Sequence, residues 1–170
     1  RAAALNRRLK KYLRFFGPGL LNRATKIWMP VGKRVVIIGG GIHGLQLAVF
    51  LVKRGRKVTV VDTAEEMGEG VIENYKVRLF WWLQRKGVPL LPGVRYERIT
   101  DQGLTVTTRE GERKTLPADT LLPALAMAPD ADRVRSLEGT APEIYQIGDC
   151  GNPALIIDAI GDGSRIGRAI

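Results

Sequence analysis

The chain has 170 residues and a hydrophobic fraction of 45%, the scale of one globular domain or of one domain with part of another. A single cysteine, Cys150, excludes an internal disulfide, a CxxC redox pair and a cysteine-ligated zinc or iron–sulfur site made by this chain alone. The net charge of +10 is localised: residues 1–34 hold ten of the 27 basic residues and no acidic one, which leaves seventeen basic against seventeen acidic side chains in the rest.

The arm comes first. Leu5, Leu9, Leu13 and Phe16 follow helical spacing among basic residues, so an amphipathic helix is expected over Ala2–Phe16, stopped by Gly17-Pro18-Gly19. Leu20–Met29 reads as a second helical piece and Pro30-Val31-Gly32 as a connector. From Arg34 the pattern changes. Arg34-Val-Val-Ile-Ile-Gly39 is a β-branched run of the kind found in a strand covered on both faces. Leu45–Lys53 has helical apolar spacing, and Lys57–Asp62 is a second buried strand. Strand, glycine-rich turn, helix, strand is a βαβ unit.

Val71–Lys86 reads as a long helix and Val88–Leu91 as a third parallel strand. Val94–Thr100, Leu104–Arg109 and Arg113–Leu116, separated by tight turns, predict an antiparallel meander. Thr120–Leu125 is a further strand, Pro129–Leu137 a loop with one helical turn, Glu143–Ile147 a last strand, and Pro153–Ile170 a final helix starting near Pro153. The expected fold class is therefore α/β: a Rossmann-like parallel sheet with a three-stranded antiparallel meander. The longest apolar stretch, near Val35–Val52, is broken by glycines, a His and a Gln, so no membrane span is expected. The first residues lack a signal-peptide pattern, and a cytoplasmic setting is expected.

Gly39-Gly40-Gly41-Ile42-His43-Gly44 fits G-x-G-x-x-G directly after a strand and at the opening of a helix, the context that marks a dinucleotide-binding turn. Gly39 permits the tight turn, Gly41 lets backbone approach a pyrophosphate, and Gly44 lets helix and strand pack closely. The N–H groups of the first helical turn, those of Ile42 and His43 among them, are expected to face the phosphates at the positive end of the helix dipole. His43 is the only histidine and sits at a permissive position, so its contribution is a backbone N–H. Asp62 ends the second strand and can accept hydrogen bonds from the adenosine ribose. The residues after it, Thr63-Ala64-Glu65-Glu66, supply no Arg for a 2′-phosphate, which favours NAD; Arg54, Arg56 and Lys57 before the strand keep NADP open. Trp81-Trp82 places one ring toward the core and the other at an edge. Gly148-Asp149 is expected at a strand end, followed by a helix start.

Three stretches carry a closer resemblance: Pro30-Val-Gly-Lys-Arg-Val-Val-Ile-Ile-Gly-Gly-Gly, Pro92-Gly-Val-Arg-Tyr-Glu-Arg-Ile, and Leu155-Ile-Ile-Asp-Ala-Ile-Gly-Asp-Gly. With the order of elements, residues 30–170 resemble FAD-dependent pyridine nucleotide oxidoreductases. Within them they are most similar to the old-yellow-enzyme-related iron–sulfur flavoenzymes of the 2,4-dienoyl-CoA reductase, 2-enoate reductase and trimethylamine dehydrogenase type. Beside the basic helical arm and connector (1–30), the resemblance implies an NAD(P)-binding domain (31–128) and the carboxyl-terminal part of an FAD-binding domain (129–170). It also implies that Gly39, Gly41, Gly44 and Asp62 face the nicotinamide dinucleotide. Gly148 and Asp149 would meet the flavin ribityl chain.

Several family features depart from this pattern. There is one glycine-rich turn rather than two, Ala124-Leu125-Ala126 replaces an expected Ala-Thr-Gly, and neither an FMN barrel nor cluster cysteines are present. The chain thus reads as an NAD(H)-binding module of a larger reductase, inactive alone, with NAD(P)H and the parent's FAD and FMN domains as partners. FMN and the iron–sulfur cluster would belong to those other parts. The competing reading is a non-catalytic module whose basic amphipathic arm meets an anionic surface or a partner domain. Few aromatics interleave the arm's charges and no nucleic-acid motif is present, so nucleic acid is not expected as a partner.

Overall fold

A computed structural model of the chain describes residues 18–125 and 127–170. The expected arm helix over Ala2–Phe16 lies outside the described residues. The chain separates into two compact units, the first running to Ala124 and the second spanning Leu125–Ile170.

In the first unit the elements are α1 (Pro18–Ile27), β1 (Arg34–Ile38), α2 (Ile42–Val52), β2 (Lys57–Val61), α3 (Glu73–Arg85), β3 (Leu90–Leu91), β4 (Arg95–Thr100), β5 (Gly103–Thr107), β6 (Arg113–Pro117) and β7 (Thr120–Pro123). Four strands form a parallel sheet in the order β3-β2-β1-β7, and β4-β5-β6 form a separate antiparallel sheet. Ile38 of β1 lies opposite Val61 on one side and Pro123 on the other, so the carboxyl ends of β1, β2 and β7 finish together. The order reverses at β1, whose chain neighbour β2 lies on one side and the late strand β7 on the other. That reversal opens the crevice where ligands of such sheets collect.

The continuous β-branched run of β1 follows from its position. Val35 and Ile37 face one core, with Leu45, Ala48 and Leu51 of α2 and Leu79 and Leu83 of α3. Val36 faces the other core, with Val61 and with Val94, Leu104, Val106 and Leu116 from the meander side. A strand covered on both faces has no reason to alternate apolar with polar residues. The meander, expected from its turns, is thus the second cover of the sheet. Gly103 opens β5 at φ 136°, and a Cβ there would stand 2.0 Å from the Leu116 carbonyl oxygen.

The amino ends of β1 and β7 are clamped by one pair. Asp119 accepts from the Arg34 backbone N–H (2.9 Å) and from its guanidinium (2.6 and 2.9 Å). The Arg34 hydrogen bond holds the Asp119 carboxyl below the ordinary aspartate range.

The second unit contains α4 (Ala131–Arg135), a 3₁₀ turn (Gly148–Cys150) and α5 (Ile156–Ile166). Here two expectations are corrected. Glu143–Ile147 is not a strand: it belongs to neither sheet, and Ile144, Tyr145 and Ile147 are exposed. A β-branched run becomes a strand only where a neighbour takes its backbone hydrogen bonds. The last helix starts at Ile156 rather than near Pro153, because the Asp158 carboxylate accepts the Leu155 N–H (3.0 Å) and sets the helix end there. In the first unit, the third parallel strand shrinks to Leu90–Leu91.

Candidate functional site

The site is built from the end of β1. The Gly39 N–H extends the parallel ladder by donating to the Val61 carbonyl (2.8 Å), and Gly39 then turns the chain at φ 118°, a conformation only glycine adopts freely. Gly44 lies in the first turn of α2. A Cβ on Gly44 would stand 1.9 Å from the Gly39 carbonyl oxygen, so the helix can meet the turn only if this residue has no side chain.

Gly41 differs. As the N-cap of α2 it has φ −71° and ψ −175°, open to any residue. A Cβ there would find only the Glu69 carbonyl oxygen, at 3.6 Å, an ordinary contact. Neither backbone conformation nor internal packing requires glycine at this position. What its missing side chain leaves is space at the N-cap of α2 that only the Glu69 carbonyl borders within 4 Å.

A loop between β2 and α3 seals the turn from one side. The Gly68 N–H donates to the Gly40 carbonyl (2.8 Å), and the Ile42 N–H donates to the Glu69 carbonyl (2.8 Å). A Cβ on Gly40 would meet the Met67 side chain at 2.6 Å, so Met67 closes the turn from this direction. Ile42 therefore does not offer a free N–H, contrary to the reading of its residue type and position alone. The backbone N–H groups of Gly41, His43 and Gly44 make no hydrogen bond within the described residues. These three donors, at the positive end of α2, are the ones left for an anion. The His43 side chain is exposed.

Asp62 stands beside them at the end of β2. Its Oδ2 accepts the Gly40 N–H (2.5 Å) and its Oδ1 accepts the Ala64 N–H (2.9 Å). Its own N–H and carbonyl are tied to Leu91 (3.0 Å) and Val94 (2.9 Å). Both carboxylate oxygens are thus oriented by backbone donors, and each retains a lone pair for a further donor. Tyr96 lies close by, its hydroxyl donating to the Val61 carbonyl (3.4 Å); burial and then the Asp62 charge push its phenol up. The sequence reading missed the sealing loop and the Asp62–Gly40 bond. The glycines Gly68 and Gly70, both at positive φ within a short loop, were the available signal for the former.

The Trp pair divides as expected. Trp82 packs against the core, and Trp81 is exposed with the Arg85 guanidinium 5.2 Å from its ring centroid.

In the second unit, Gly148 is buried at φ 60°. Its N–H donates to Asp162 of α5 (3.2 Å), and a Cβ would lie 3.1 Å from that of Ala159. Asp149 is exposed on the 3₁₀ turn, which follows an irregular segment rather than the expected strand. A wide depression of about 640 Å³ in this unit is lined by Gln146, Asn152, Asp158, Asp162 and Arg165 among others. Among the described residues no cluster of three His, Cys, Asp or Glu side chains could hold a metal ion, and no helix is long and apolar enough to cross a membrane.

A family model for pyridine nucleotide-disulphide oxidoreductase matches residues 19–163. Bilirubin reductase of Mediterraneibacter gnavus (strain CC55_001C) is 32% identical over 130 residues, covering 76% of this chain and 20% of that protein. NADH oxidase of Thermoanaerobacter brockii is 25% identical over 144 residues, 84% of this chain and 22% of that protein. A solved structure of 2-naphthoyl-CoA reductase superimposes with a TM-score of 0.74 at 27% identity, over 84% of this chain and 22% of that one. Histamine dehydrogenase from Rhizobium sp. 4-9, at 20% identity and a TM-score of 0.70 over 88% of this chain and 25% of that one, shares the fold. The chain spans about a fifth of the length of these two curated relatives.

Proposed function

Because this chain belongs to the pyridine nucleotide-disulphide oxidoreductase family, whose members use FAD and NAD(P), we propose that its β1–α2 turn holds the ADP half of NADH and orients the cofactor toward a flavin. The observation that carries this reading is Gly41. Gly39 and Gly44 are glycines that the protein's own geometry requires, whereas Gly41 keeps open a space that no protein atom uses. A pyrophosphate fits that space, with the Gly41, His43 and Gly44 N–H groups donating to it and the α2 dipole favouring its charge. Gly39 sets the turn, and Ile42, whose N–H donates to the Glu69 carbonyl, fixes the helix end rather than reaching the phosphates. Asp62, oriented by Gly40 and Ala64, accepts the ribose hydroxyls.

When bound, NADH supplies a hydride and FAD accepts it. This chain's residues bind and orient; none of them is assigned a proton or a covalent step. In the second unit, Gly148 and Asp149 are proposed to meet the flavin: Gly148 brings backbone close and Asp149 offers an exposed carboxylate to ribityl hydroxyls. The parent reaction is proposed to be reduction of an enoate- or enoyl-CoA-type substrate, with FMN and an iron–sulfur cluster in other parts of the protein. The likeness to a 2-naphthoyl-CoA reductase supports this reading.

Calorimetric titration of the chain with NADH and with NADPH tests the site. NADH binding with a preference over NADPH is expected. Absence of binding by either cofactor at millimolar concentration would remove the proposal.

A further inference from the structure

The four residues after β2 contain no arginine, but the fold brings one to them from 44 positions away. The Arg109 Nη2 lies 3.2 Å from a carboxylate oxygen of Glu65. We infer that Arg109 is a held-back ligand for a 2′-phosphate on the adenosine ribose, and that its ion pair with Glu65 keeps the site selective for NADH. The inference rests on the proposed reading of the β1–α2 turn as a dinucleotide site.

The placement follows from short links. Asp62, the proposed ribose acceptor, closes a tight turn by taking the Ala64 N–H on its Oδ1. The Ala64 carbonyl accepts the Gly93 N–H (2.8 Å), which pins that turn to the one after β3. Glu65 is the next residue. Its carboxylate borders Gly93: a Cβ there would lie 3.5 Å from both oxygens. Arg109 stands on the β5–β6 hairpin tip, which is held by Thr108 N–H to Glu112 carbonyl (2.8 Å) and Gly111 N–H to Thr108 carbonyl (3.0 Å). A guanidinium on a fixed hairpin therefore faces the turn that begins at the ribose acceptor.

The chemistry of the pair sets its effect. A phosphate ester on the 2′ oxygen would bring close to two negative charges toward Asp62 and Glu65. A guanidinium recognises phosphate through paired N–H donors, but here its Nη2 is ion-paired with Glu65. Glu65 thus acts twice against NADPH, by repelling the phosphate and by holding the group that would bind it. Neither action touches the unphosphorylated ribose of NADH. Both side chains are exposed, so exchanging them leaves the core intact.

The test is titration of NADH and NADPH into the wild type, E65Q and E65Q/R109A at low salt, with circular dichroism to verify the fold. E65Q should bind NADPH about fivefold more tightly, the scale of one exposed charge contact, and NADH within about twofold of the wild type. In E65Q/R109A most of the gain should disappear. An unchanged NADPH-to-NADH ratio in E65Q, or a full gain retained in the double variant, would overturn the inference while leaving the NADH site standing. A wild type that binds neither cofactor would overturn the site reading and this inference together.

Discussion

Two helices of similar length show how differently the two units of this chain are made. α3 of the first unit buries Leu79 and Leu83, the latter fully, against β-strand residues of the sheet. α5 of the second unit has no buried residue, and Ile156 is 82% exposed. The glycine sites divide the same way. Around Gly39–Gly44 the N–H groups of Gly39, Gly40 and Ile42 have protein acceptors, and the three donors without one among the described residues sit together at a helix end. Around Gly148 one buried glycine is held by Asp162 of α5, while Asp149 stands in the open. The lesson is that the first site is preformed by its own packing, whereas the second owes its shape to a few contacts within one turn and one helix.

The widest separation should appear on truncating apolar side chains. Leu83→Ala should cost about 2–5 kcal/mol by chemical denaturation, the usual penalty for emptying a core position. Ile156→Ala should stay within about 0.5 kcal/mol. A comparable loss in both variants would mean that α5 is packed as firmly as α3 and would erase the contrast.

Substitution of the glycines sharpens it further. In Gly44→Ala the new Cβ would collide with the Gly39 carbonyl, so helix and turn must move apart at a cost of about 1–3 kcal/mol. Gly148→Ala faces a left-handed backbone and one tight contact, 3.1 Å to the Ala159 methyl, that a few tenths of an ångström would relieve, and about 1 kcal/mol is expected. Thermal melts of the two variants side by side would rank them; the reverse order would place the tighter site in the second unit.

Much of the first unit was legible because its signals are local. The β-branched run before Gly39, the glycine spacing and the turns of the meander each lie within a dozen residues. What escaped was nonlocal. Gly40 and Asp62 are 22 positions apart, so nothing around either residue shows that the carboxylate caps the turn. Ile42 carries the right position for a phosphate donor, yet a carbonyl 27 residues later takes its N–H. Glu143–Ile147 carries the composition of a strand, but a strand also needs a partner, and composition does not encode one. Arg109 was invisible for the same reason: only the hairpin brings it to Glu65.

The smallest effect concerns acid. Asp119 titrates below the ordinary aspartate range because Arg34 binds its charged form. A carboxyl lowered in the folded state stabilises the fold above the unfolded aspartate value, and that contribution fades as pH falls through the lower folded value. The wild type should therefore lose melting temperature between these two values more steeply than Asp119→Asn. The pair is exposed, so the difference should be slight and should shrink further in high salt. Parallel pH profiles for the two proteins would detach this clamp from the stability of the first unit.

The most direct test of the account is Gly41→Ala, read by NADH titration and thermal melting on the same sample. The structure has room for the added methyl, so stability should change by less than about 1 kcal/mol. NADH affinity should fall at least about tenfold, because the methyl occupies the space proposed for the pyrophosphate. Wild-type NADH affinity in a folded Gly41→Ala protein would contradict the claim that this turn is the cofactor site.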